Sequence, residues 1–173
     1  LELLAGNELH LIKNKDYALI LAGLYLQFNQ DFKADYVLKI LQKQYTNDED
    51  ILILSAKVLS SIGQDKEALL LLESAKVNRG DRYKQALTVT SLRLGEFDKA
   101  LEYAESLISN TPDLAEYQLL YMRVLLMRGQ FSEAETALRA VIGMAPHFTA
   151  AYINLADVYR QTGREDEAES LLR

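Results

Sequence analysis

Apolar positions along this chain recur at helical spacing, and the stripes come in pairs. Tyr117, Leu120, Tyr121, Val124 and Leu125 make one stripe; Ala134, Ala137, Leu138 and Val141 make the next. Steps of three and four residues place each set on one face of an α-helix. Between the stripes stand Arg128 and Gly129, a basic last turn followed by glycine, which predicts a helix stop. Ser132, with Glu135 three residues on, predicts that the next helix opens at Ser132 with a capping box. Pro112 and Pro146 each fall between one helix pair and the next, where proline suits a first helical position.

The paired pattern repeats along the whole chain. Gly63, Gly95, Gly129 and Gly163 are separated by 32, 34 and 34 residues. Each is followed five residues later by an alanine: Ala68, Ala100, Ala134 and Ala168. A further step back of 34 residues reaches Ala34, and five residues before it stands Asn29, the residue next most tolerant of a left-handed backbone. One unit is therefore written five times, and a period of this size predicts stacked supersecondary units sharing a continuous core. The alanine lets the two helices of a hairpin cross closely. The units are 15–48, 49–80, 81–114, 115–148 and 149–173, with residues 1–14 read as the second helix of a preceding unit. The second unit is two residues short between Ala75 and Tyr83, which predicts a trimmed second helix or turn. A chain that opens at Leu1 and closes at Arg173, both inside predicted helices, reads as a piece of a longer protein.

These residues resemble the tetratricopeptide repeat. With each glycine numbered position 15 and each alanine position 20, position 8, small in that family, is Ala22, Ala56, Thr88, Met122 and Ala156. Position 7 is Leu21, Ser55, Leu87, Tyr121 and Leu155; position 11, usually tyrosine in the family, is Tyr25, Leu59, Ser91, Leu125 and Tyr159. The resemblance implies an all-α, right-handed superhelical solenoid of antiparallel helix pairs. First helices would line a concave groove, and second helices would form an outer wall.

Charge is unevenly divided between those surfaces. In units two to five the first helices carry seven basic and six acidic residues, whereas the second halves carry seven basic and thirteen acidic ones. An acidic outer wall keeps a repeat protein soluble. It also leaves the groove the less acidic surface, suited to an acidic ligand. The resemblance places Lys57, Arg93, Leu119, Arg123, Leu126, Met127, Asn154, Asp157 and Arg160 on the concave face, with Leu92 beside them. Apolar ground bordered by cations predicts a groove for a peptide or helix with acidic and apolar side chains. The plainer alternative is that Leu92 and Leu126 pack between neighbouring first helices. One subtype of the family, which clamps a chaperone's terminal carboxylate, is excluded. Its lysines, asparagines and arginine would fall on Leu19, Gly23, Leu54, Arg82 and Ala86, of which only Arg82 is chemically close. The two other registers place them on Ile53, Lys57, Ala86, Glu116 and Leu120, or on Gln85, Val89, Leu120, Ala150 and Asn154.

Composition narrows the remaining chemistry. With no cysteine there is no disulfide framework and no thiolate metal site. No phosphate-binding glycine cluster occurs, and His10 and His147 lack partners at metal-ligand spacing. A net charge of -6 argues against nucleic acid. No apolar run approaches the ~20 residues of a membrane span, so no membrane insertion is expected. The expectation is a soluble, non-enzymatic interaction scaffold without a cofactor, in cytoplasm or periplasm, binding a protein or peptide. The alternatives are a spacer that self-associates end to end or as a homodimer, and an accessory domain tethered to an enzyme or secretion component.

Overall fold

The computed structural model describes His10 and residues 12–173; the helix expected over 1–14 lies largely outside the described residues. Among the described residues the chain is all-helical and falls into two units that divide between Leu94 and Gly95. The first holds α1 (Lys15–Gln27), α2 (Asp31–Gln44), α3 (Glu49–Ser61), α4 (Asp65–Ser74) and α5 (Asp81–Leu94). The second holds α6 (Phe97–Asn110), α7 (Ala115–Met127), α8 (Phe131–Met144), α9 (Thr149–Gln161) and α10 (Glu165–Leu172). Within each unit, consecutive helices pack against one another across short turns, as antiparallel pairs do.

The turns explain the glycine period. Asn29, Gly63, Gly95, Gly129 and Gly163 all have positive φ, between 56° and 80°. After four of them the next backbone N–H reaches a carbonyl five residues back: Gln30 to Tyr25, Gln64 to Leu59, Gln130 to Leu125 and Arg164 to Tyr159, at 2.7–2.9 Å. The positive-φ residue itself donates to the carbonyl three back, as Gly129 does to Leu126 at 2.9 Å. This left-handed turn satisfies carbonyls that a helix end otherwise leaves open. It also starts the next helix almost at once, and that corrects the expected capping box. Gln130 is the N-cap of α8 with no side-chain cap, Ser132 is already inside the helix, and Glu135 is engaged elsewhere. The prolines are corrected as well. Pro112 and Pro146 sit in the turns, before α7 begins at Ala115 and α9 at Thr149. There their carbonyls accept from Gln118 Nε2 and the Tyr152 hydroxyl, each in the helix that follows, at 2.9 and 3.0 Å.

Ala34, Ala68, Ala100, Ala134 and Ala168 are all fully buried. In the first unit the core contains Ala34 with Val37, Leu38, Leu41, Ile51 and Val58; in the second, Ala134 and Ala168 join Leu125, Leu138, Val141, Leu155 and Tyr159. The short second repeat is shortened in its second helix: α4 has 10 residues where α2, α6 and α8 have 14. The carbonyls freed at its end are capped from the chain that follows. The buried Tyr83 hydroxyl donates to the Leu72 carbonyl, and Arg79 donates to that of Glu73, both at 2.8 Å. Burial pushes the Tyr83 phenol up to about 12, so it stays a donor.

Candidate functional site

In the first unit a groove of about 380 Å³ runs between α3 and α5. Its shape follows from side-chain size. Ala56, Ser60, Ala86 and Thr90 face it with small side chains, while Ile53 and Val89 supply apolar surface. Ile53 is buried, whereas Val89 stands 37% exposed. Lys57, Arg82 and Arg93 line the same groove. Arg82 pairs with Asp50 at 2.8 Å, both well exposed. Lys57 is exposed and has no ion-pair partner among the described residues.

Arg93, which the resemblance places on the concave face, lines the groove but is also bound within the chain. Its Nε donates to Asp65 Oδ1 at 2.7 Å, and its Nη2 donates to the Ser60 carbonyl at 2.8 Å. It therefore ties α5 to the corner between α3 and α4. The Arg93 hydrogen bond holds the Asp65 carboxyl below its ordinary range, against the opposing effect of burial.

The second unit separates the remaining predicted residues into two groups. Leu119 and Leu126 are half-buried against the core. Met127, at 55% exposed, and Ile153, at 50%, are the open apolar side chains on α7 and α9. Arg123 is exposed with no ion-pair partner among the described residues. Asp157 and Arg160 neutralise one another at 2.8 Å, and Asn154 donates to its own helix at the Ala150 carbonyl.

A polar cluster that sequence reasoning missed lies around Glu135. Arg164 Nη1 donates to Glu135 Oε2 at 2.6 Å, and Arg139 Nε donates to Oε1 at 3.0 Å. Arg164 also forks onto Glu167 with two 2.7 Å bonds and stacks 4.2 Å from the centre of the Tyr159 ring. Arg139 donates to the Tyr159 hydroxyl at 2.7 Å. The Arg164 bond holds Glu135 below the ordinary carboxylate range, again against burial. Every charge here is matched by a neighbour, so the cluster fastens α8 to α9 and α10. Arg128, paired with Asp98, fastens α7 to α6 in the same way. Arg139, on a second helix, is therefore structural. The only sequence signal for such pairs is a basic residue roughly one repeat after an acidic one.

Among the described residues, no helix is long and apolar enough to cross a membrane. A family model described as tetratricopeptide repeat matches residues 91–146 and 125–173. A search of curated proteins finds no match. Among solved structures, MamA (residue 41 to its end) from Desulfovibrio magneticus RS-1 superposes with a TM-score of 0.77 at 14% identity, over 91% of this chain and 90% of that one. TTC0263, described as a thermophilic TPR protein in Thermus thermophilus, superposes with a TM-score of 0.74 at 19% identity, over 91% and 88%. A crystal structure of MamA gives 0.73 at 19% identity, over 87% and 89%. At these identities the likeness is one of fold.

Proposed function

Because this chain belongs to the tetratricopeptide repeat family, we propose that it is a non-enzymatic scaffold that seats a partner's peptide or helix against its first helices. The observation that carries this reading is the groove between α3 and α5, with exposed Val89 over a floor of small side chains and an uncommitted Lys57 beside it. A segment with an apolar anchor and a nearby carboxylate complements that arrangement. Arg123 and Met127 offer the same pairing of cation and exposed apolar side chain in the second unit. The test is selection from a random peptide display library against the isolated chain, followed by hydrogen exchange of the chain with the enriched peptide. Enriched sequences combining acidic and apolar residues, and protection concentrated in α3 and α5 or in α7 and α9, are expected. Protection confined to α2, α4, α6 and α8 would overturn the reading.

Self-association is a second reading, favoured by one observation: Tyr17, Ile20, Leu24 and Phe28 form an exposed apolar stripe on and just beyond α1. Sedimentation of the wild-type chain and Ile20→Glu across concentration tests it. A monomer at all concentrations rules it out.

A further inference from the structure

On the opposite side of the first unit, a second groove of about 400 Å³ opens between α2 and α4, the two second helices. Leu38, Leu59, Leu70 and Leu71 wall it, and Ser55 of α3 lies at its base. Two features set it apart from ordinary surface. Leu70 stands 65% exposed, an apolar side chain left open at the groove wall. Ser55 is only 5% exposed, yet its Oγ has no hydrogen-bond partner among the described residues. A buried hydroxyl without a partner is costly and calls for a group to meet it, a water or a ligand atom.

The repeat itself shows what is missing. Ser55 occupies the place filled by Leu21, Leu87, Tyr121 and Leu155 in the other units. In the fourth repeat, Tyr121 of α7 lies half-buried against the core. Burial, and after it the charges of Glu105 of α6 and Glu133 of α8, raise its phenol above the ordinary range. Counted along the repeat, those two positions correspond to Lys39 of α2 and Glu67 of α4, which line the slot at Ser55. In one repeat the chain supplies its own aromatic ring at this position. In the other it supplies a serine and leaves the space open.

We propose that this slot is a second binding site, which takes a tyrosine side chain from a partner polypeptide. The ring would lie against Leu38, Leu59 and Leu71, Leu70 would close over its edge, and the phenol hydroxyl would meet the Ser55 hydroxyl or the polar rim at Lys39 and Glu67. A tyrosine suits the slot better than a leucine because it brings the hydrogen-bonding group that Ser55 lacks. The rim carries both signs of charge, so specificity rests on the ring and hydroxyl and not on net charge.

The test is a methyl-detected NMR titration of the chain with N-acetyl-tyrosinamide, against the phenylalanine and leucine analogues. The tyrosine compound should shift the methyl signals of Leu38, Leu59, Leu70 and Leu71 and bind on the order of fivefold tighter than the phenylalanine analogue, one hydrogen bond's worth. Ser55→Ala keeps the space and removes the hydroxyl, so it should bind both aromatic compounds and lose the preference between them. Ser55→Leu fills the space and should weaken both by about tenfold or more, while its thermal midpoint holds or rises. If Ser55→Leu does not fold, Leu70→Glu, at an exposed position, serves as the blocking variant. Shifts located elsewhere, or binding unaffected by Ser55→Leu and Leu70→Glu, would overturn the proposal. This site shares no residue with the groove between α3 and α5, so the two proposals stand or fall separately.

Discussion

A Cβ built on Gly129 meets nothing within 4 Å, so the case for glycine there is one of backbone conformation alone. At φ +71° a β-branched residue is strained, and Gly129→Val should lower stability by about 1–3 kcal/mol in urea or thermal denaturation. An unchanged midpoint would show that the turn tolerates another geometry. Tyr83→Phe tests a different residue-scale device. It leaves the ring in its buried place but strips the Leu72 carbonyl of its donor, at a cost of about 1–2 kcal/mol. Equal stability of the two proteins would mean that water reaches that carbonyl. The contrast also shows what a sequence makes legible. The turn residues announce themselves because the same backbone requirement recurs every repeat. Tyr83 answers a single irregularity, the short α4, and a device used once leaves no period to detect.

Helices were legible because each carries a periodic apolar stripe, and the glycine period marked where four of the first helices end. Their beginnings were less so. Ser132 looked like a cap from its chemistry, but the left-handed turn at Gly129 had already set the start of α8 at Phe131. Two predictions belong at this scale. Ala134→Leu puts a larger side chain into a fully buried position and should destabilise by about 1–3 kcal/mol, while Glu133→Leu, on the exposed face of the same helix, should change stability by less than about 0.5 kcal/mol. If Glu133→Leu proved the more damaging, the faces of α8 would be misassigned. The second concerns Glu135, whose pKa is lowered in the fold chiefly by the Arg164 hydrogen bond. A lowered carboxylate pKa stabilises the fold above its unfolded value, and that stabilisation fades as pH falls through the folded value. The stability gap between wild type and Glu135→Gln should thus be widest at neutral pH and narrow below about pH 4. A gap independent of pH would mean that shape, not charge, holds α8 to α10.

At the scale of the whole molecule, the fold class and family were legible because the repeat phase survives from Asn29 to Ala168. The candidate site was legible only in outline. Helix positions pointed to Lys57, Arg93 and Arg123, but whether each charge is free depends on partners about one repeat away in sequence. Asp65 claims Arg93, whereas among the described residues no carboxylate pairs with Lys57 or Arg123. Leu119 and Leu126 are half-buried against the core, leaving Met127 and Ile153 as the open apolar side chains of α7 and α9. The central claim, that the first helices carry the binding surface, reduces to one calorimetric comparison with a display-selected peptide. Lys57→Glu combined with Val89→Asp changes the groove between α3 and α5. Lys43→Glu combined with Lys66→Glu reverses two exposed cations on the second helices. The account predicts that the groove pair raises the dissociation constant about tenfold or more, and that the outer pair leaves it within about twofold. Equal loss from both pairs, or loss from the outer pair alone, would contradict it.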